Sequence, residues 1–146
     1  MMKYLLSCKC SDNCKGWILL FLRVIIGIVF LAHGSQKIGT GGAGVAQFFG
    51  SLGIPLSLFS AYVVMYVEFL GGIMLILGLF THWASKFLAV VMLVAFFTVH
   101  ISKGVFVSNG GFELVAVIFG GLLVIMTFGA GELALEKYLK RNNLTN

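Results

Sequence analysis

The chain has 146 residues, 60% of them hydrophobic and 10% charged, with a formal net charge of +5 and a mean hydropathy of +1.05. A soluble domain of this size cannot hide so much apolar surface, so lipid is the implied solvent and a water-soluble globular protein is excluded. The basic residues gather at the chain ends instead of forming a stripe, which excludes nucleic acid as a partner and points to orientation in a bilayer.

Residues 1–16 precede the first apolar run and hold all three cysteines, Cys8, Cys10 and Cys14. The spacing is neither CxxC nor a four-ligand zinc pattern, so no metal site is expected from this chain alone. Reduced thiols, acylation, redox sensing and metal capture with a partner's ligand all stay open for this segment.

The first predicted span runs from Trp17 to Gln36 and contains Arg23. Its length and that buried charge argue against a cleaved signal peptide. Lys37 to Pro55 is a long glycine-rich connection. Within it Val45, Phe48, Phe49 and Leu52 fall at helical spacing, which predicts a short amphipathic helix over Val45–Leu52 lying in the membrane interface. The second span, Leu56–Phe80, carries one formal charge, Glu68. A carboxylate at the centre of such a helix costs about 2.5–3.5 kcal/mol on insertion scales, so it needs a partner or a function. Thr81–Ser85 reads as a tight turn, with His82 solvated in it. The third span is Ala84–Ile101, Ser102–Asn109 is a short loop, and the fourth span is Gly110–Gly129. Residues 131–146 read as a short solvated helical tail with an i,i+4 Glu136–Lys140 pair.

The predicted fold is therefore all-α: an integral membrane four-helix bundle over residues 17–130, with a short interfacial helix between the first two spans. Lys3, Lys9, Lys15, Lys86, Lys137, Lys140 and Arg141 fall on one side, Lys37 and Lys103 on the other. That bias places both termini in the cytoplasm.

Helical periodicity gives each span a stripe with an ionisable group. The stripes are Arg23, Gly27, Phe30, Gly34 and Lys37; Ala61, Met65, Glu68, Gly72 and Leu75; Ala89, Leu93, Phe96, His100 and Lys103; and Glu113, Val117, Gly120, Val124 and Thr127. Turned inward, they shelter the charges from acyl chains, and glycine lets the backbones approach. From the helical rise, Arg23 and Glu68 differ in depth by about 9 Å, which two long side chains bridge, so an Arg23–Glu68 ion pair is expected. The competing reading has Arg23 snorkelling to headgroups and Glu68 protonated. In the other half His33, Lys37, His100 and Glu113 form a second cluster. It reads either as a half-solvated belt or as a polar pocket with Glu68 at its floor, with Glu113 neutralised by Lys37, Lys103 or His100. His33 and His100 are the minimum for a haem, which the absence of CxxCH disfavours.

The ordered set of motifs is similar to the DoxX family of small membrane proteins. It comprises Arg23-(x)3-Gly27, His33-Gly34-(x)2-Lys37, Glu68-(x)2-Gly71-Gly72, Gly78-Leu79-(x)-Thr81, Met92-(x)2-Ala95, His100 and Asn109-Gly110-Gly111-(x)-Glu113. The resemblance implies a multi-pass protein of the bacterial inner membrane, linked to quinone-dependent oxidation or to quinone and thiol stress, with quinone as the candidate cofactor and soluble redox enzymes as partners. It leaves open whether the protein is catalytic, for instance as a subunit of a quinone-linked oxidoreductase, and whether it self-associates. A non-catalytic scaffold and a small-solute or proton-coupled carrier are the rival classes. The cysteine segment lies outside the resemblance.

Overall fold

The computed structural model describes residues 12–143. The segment holding Cys8 and Cys10 lies outside those residues. The described residues are mostly helical, with no strand among them. It forms α1 (Asp12–Thr40), α2 (Gly42–Ser51), α3 (Ser57–Leu77), α4 (Thr81–Ala95), α5 (Glu113–Phe128) and α6 (Leu135–Asn143). A π-helical turn, Phe96–His100, and a 3-10 turn, Ile101–Lys103, prolong α4. A second 3-10 turn, Val107–Asn109, precedes α5.

Three helices are long and apolar enough to cross a membrane: Cys14–Thr40, Ser57–Leu77 and Thr81–Lys103. α5 is shorter, at 16 residues, which rise about 24 Å. A short helix of this kind is accommodated by local thinning of the bilayer. It packs along α4 and α1. The Glu132 N–H donates to the Gly16 carbonyl at 3.0 Å, so the described chain ends meet at one end of the bundle. We call this the terminal end. The opposite loop end carries α2 and the 104–112 connection.

The core lies between α1, α3, α4 and α5, built from Ile26 and Phe30 of α1, Leu75 of α3, Leu88 and Ala89 of α4, and Ile118, Leu122 and Ile125 of α5. The outer faces expose Phe21, Ile25, Phe59, Leu70, Phe87, Val90, Val117 and Phe128. Such an apolar shell suits hydrocarbon and not water. At the terminal end Trp17 and Trp83 are exposed, and Lys86 Nζ sits 4.7 Å from the Trp83 ring centre. Tryptophan with lysine is the usual composition of a membrane–water boundary.

The stripe expected for α3 is the one buried: Ala61, Met65, Glu68, Gly72 and Leu75. On α1, Arg23, Gly27, Phe30 and Gly34 are also buried. The two helices meet through glycine. A Cβ on Gly72 would stand 2.6 Å from the Leu31 nitrogen and 2.8 Å from the Gly27 carbonyl, and one on Gly34 would stand 2.6 Å from the Phe69 nitrogen. Backbones this close gain the van der Waals contact that drives helix association in lipid. Gly72→Leu is accordingly expected to push α1 from α3 and abolish the monodisperse folded peak in detergent, whereas Gly120→Leu, at a position with open space, leaves it intact.

The other two stripes are corrected. α5 buries Val115, Ile118, Leu122 and Ile125, while Val117, Gly120, Val124 and Thr127 face outward. α4 buries Thr81, Ala84, Ser85, Leu88 and Ala89, and Leu93 and Lys103 are exposed. Two polar residues that define those stripes find partners off them: His100 at the Gly110 carbonyl and Glu113 at the Val107 N–H. The tight turn is also shifted: it is Gly78–Phe80, with Gly78 at φ 67 and Phe80 at φ 46, and α4 begins at Thr81. His82, in the first turn of α4, is exposed but bonds through Nδ1 to the Met126 carbonyl at 3.0 Å.

The segment after α5 ties the terminal end together. Glu136 N–H donates to Gly78 O at 3.1 Å. The Glu136 carboxylate accepts the Thr81 N–H at 3.1 Å and the Thr81 hydroxyl at 3.3 Å, capping the positive end of α4 from another element. Glu136 is thus committed to Thr81. The Lys140 side chain expected to pair with it lies outside the described side chains. Glu132 instead pairs with Lys137 at 3.5 Å.

Candidate functional site

Arg23 and Glu68 do not pair. The Arg23 side chain is fully buried and its guanidinium is spent on carbonyls. Nη1 donates to Leu75 O at 2.7 Å and Ile76 O at 2.9 Å. Nη2 donates to Glu132 O at 3.1 Å and Leu133 O at 2.9 Å. The first two lie in the last turn of α3, the negative end of its dipole, where Leu75 O also accepts the Gly78 N–H at 3.2 Å. The other two belong to the strap after α5. Arg23 therefore caps one helix and holds the strap to it. The planar fork of Arg suits this, since it offers several fixed donors to groups that hydrocarbon could not satisfy. Its Nε is buried with no partner among the described residues.

Glu68 is 3% exposed and its partner comes from the loop end. Lys37 Nζ donates to Oε1 at 2.5 Å and to Oε2 at 2.6 Å. The lysine is in the last turn of α1, near the boundary, and extends inward along the bundle. Glu68 lies about 16 Å from the start of α3, deep in the span. A carboxylate at that depth is tolerated because a full positive charge and two charge-assisted hydrogen bonds meet it.

A cavity of about 730 Å³ opens beside this pair. α1 contributes Lys37 and Thr40, and α2 contributes Gly44, Val45, Phe48 and Phe49. α3 contributes Phe59, Val63, Val64 and Glu68, and the α4 side contributes Val90, Val91, Val94 and His100. The lining is thus apolar apart from a small polar set. Such a volume and makeup are usual for a small-molecule site, at roughly 300–1,000 Å³.

His100 reaches the cavity from the π-helical turn, a distortion that frequently marks functional positions. Its Nδ1 lies 2.6 Å from the Gly110 carbonyl. A carbonyl only accepts, so Nδ1 carries the proton, and in the neutral ring Nε2 is left as an acceptor.

The remaining expected residues are elsewhere. Glu113 is not neutralised by Lys37, Lys103 or His100: its Oε1 accepts the Val107 N–H at 2.6 Å, which organises the 104–112 connection. Glu113→Gln keeps an acceptor there and is expected to change stability by less than about 1 kcal/mol, read as an unchanged melting midpoint within a few degrees. His33 is exposed, with Nδ1 2.8 Å from Val29 O on its own helix, so it does not share a pocket with His100. Cys14 is exposed and unbridged. The sequence reading missed the valines and phenylalanines of the cavity wall. Only the amphipathic spacing of Val45, Phe48 and Phe49 hinted at them.

The DoxX family model matches residues 18–101, the stretch that contains Arg23, Lys37, Glu68 and His100. CatD of Bacillus subtilis (strain 168), whose name proposes an oxidoreductase, is 36% identical over 120 residues, covering 82% of this chain and 85% of that protein. An uncharacterised protein of Haemophilus influenzae is 36% identical over 136 residues, covering 89% of this chain and 97% of that protein. The inner membrane protein YqjF of Escherichia coli K12 is 30% identical over 122 residues, covering 84% and 92%. No solved structure matches the chain. A family match over more than half of the chain, together with relatives 30–36% identical over most of its length, settles the classification: the chain belongs to the DoxX family.

Proposed function

We propose that this protein is a quinone-linked redox accessory of the bacterial inner membrane, with both termini cytoplasmic. The observation that carries this reading is the Lys37–Glu68 pair at the wall of an otherwise apolar cavity. A quinone has the matching chemistry: an apolar ring with carbonyl oxygens and a hydrocarbon tail. Lys37, held by Glu68, supplies a donor for a ring carbonyl. His100, with Nδ1–H committed to Gly110, supplies an acceptor for a quinol hydroxyl. A bound quinone would take up two electrons and two protons, with soluble redox enzymes as the electron source. This chain's residues bind, orient and exchange protons. The name of the B. subtilis relative supports a redox role, and that of the E. coli relative supports the inner membrane. Lys15, Lys86 and Lys137 at the terminal end support a cytoplasmic placement of that end. The domain division follows: 1–16 a cytoplasmic thiol segment, 17–130 the embedded bundle, 131–146 a cytoplasmic tail.

The test is to purify the protein in native lipid, extract its bound small molecules and identify them. A quinone co-purifying with the native chain and lost in Lys37→Gln is the expected result. A quinone-free extract, with normal quinone and thiol tolerance in a deletion strain, overturns the reading. That outcome would favour a scaffold in which the pair only fixes helix register.

A further inference from the structure

The cavity wall is not closed on the membrane side. Phe59 and Val63 of α3 are 67% and 42% exposed, and Val90 and Val94 of α4 are 60% and 46% exposed, yet all four line the cavity. They lie within the two membrane-crossing segments Ser57–Leu77 and Thr81–Lys103. Val63 is about 9 Å and Val90 about 13 Å from the start of its helix, a depth at which the surroundings are acyl chains. Next to the Gly78–Phe80 turn the two helices pack closely, with Leu88 against Gly71. Farther from the turn Phe59 and Val63 of one helix and Val90 and Val94 of the other line the cavity, and the gap between them is the mouth. At the loop end the gap is roofed by α2, whose Phe48 and Phe49 line the cavity. Gly42 and Ala46 of that helix are buried, with Gly42 against Tyr62 of α3.

From this arrangement we infer that the site is loaded sideways from the bilayer, through the seam between α3 and α4, by a lipid-borne molecule with an uncharged polar head and a hydrocarbon tail. The inference rests on the reading of this cavity as the ligand site, though not on the ligand being a quinone. The head is uncharged because Lys37 and Glu68 already neutralise one another, and a net charge carried through hydrocarbon would cost several kcal/mol at that depth. The tail stays in the seam among Phe59, Val63, Val90 and Val94, where it replaces acyl chain contacts with apolar side-chain contacts. A charged, water-soluble metabolite fits neither the route nor the head site. α2 is therefore a roof and not a gate.

The route is tested with a spin label at Val64, a half-buried position on the cavity wall. The full chain carries serine at Cys8, Cys10 and Cys14 and is reconstituted in vesicles. Collision with oxygen, which partitions into hydrocarbon, is compared with collision with a water-soluble nickel chelate. The expected result is oxygen access about fivefold above that of the chelate, lowered about twofold or more by Val94→Trp at the mouth, with a control label at outward-facing Val117 unaffected. Chelate access at Val64 equal to that at exposed Ser108, or indifference of oxygen access to both Val94→Trp and Val63→Trp, overturns lateral loading. Extraction reports separately on the head: oxygen access at Val64 without any co-purified quinone supports the route and removes the quinone assignment. A co-purified quinone with open chelate access does the reverse.

Discussion

Replacing Arg23 with methionine is expected to leave almost no folded protein. The substitution keeps the apolar stem but removes the donors to Leu75, Ile76, Glu132 and Leu133 carbonyls. Leu75 O keeps the Gly78 N–H at 3.2 Å, but the Ile76, Glu132 and Leu133 carbonyls lose a charged donor, and a buried polar group left unpaired costs about 1–3 kcal/mol. The sum is a large share of a typical 5–15 kcal/mol of total stability. Arg23→Lys is expected to fare little better, since an ammonium has three donors and no planar fork to span two carbonyl pairs. The loss should not be relieved by Glu68→Gln, because the two residues share no partner, and effects at unshared sites add. Size-exclusion profiles in detergent of the single and double variants check this. Recovery of Arg23→Met by a change at Glu68 would contradict the geometry.

The second large effect concerns Lys37 and Glu68, and it is asymmetric. Lys37→Gln leaves a carboxylate that is 3% exposed without its counter-charge, at an expected cost of about 3 kcal/mol or more. Glu68→Gln leaves a lysine that is 28% exposed and near the end of α1, free to turn toward headgroups, at a cost closer to about 1 kcal/mol. The double variant Lys37→Gln/Glu68→Gln should regain most of what Lys37→Gln loses, since neutral amides remove the buried charge. Melting midpoints of the four proteins in detergent measure the coupling. On the proposed function, the rescued double variant would remain unable to retain quinone, which separates a binding role from a purely structural one.

The facing surfaces of α1 and α3 were largely legible in the sequence. Small residues interspersed with a few charges at spacings of three and four on α1 and α3 suit a face turned to another helix, and Gly27, Gly34, Gly72 and Glu68 are all buried. The partner of Arg23 was not legible. A search for the opposite charge finds Glu68, but the true acceptors are main-chain carbonyls, which every residue carries and no composition reveals. Leu75 and Ile76 lie seven and eight residues beyond Glu68, about 11 Å further along the helix. The stripe on α5 failed for a related reason. Glu113 needed a partner, and a loop N–H three-dimensionally close at Val107 supplied it, so nothing obliged the glutamate face to turn inward. The buried face, through Ile118 and Leu122, is displaced two positions from the expected one, which at 100° per residue is nearly the opposite side. The cavity was the least visible feature. It is lined jointly by α2, α3 and the α4 side, and Val63, Val64, Val90 and Val94 look in sequence like any lipid-facing valines.

The most direct measurement is photo-crosslinking with an azido-quinone in native membranes, followed by peptide mapping. The account predicts adducts on the peptides that carry Val64 and Glu68 of α3 and Val91 to His100 of the α4 side, suppressed by excess unlabelled quinone and by Lys37→Gln/Glu68→Gln. Adducts spread evenly over the exposed faces of α1 and α5, unaffected by competitor, would contradict it.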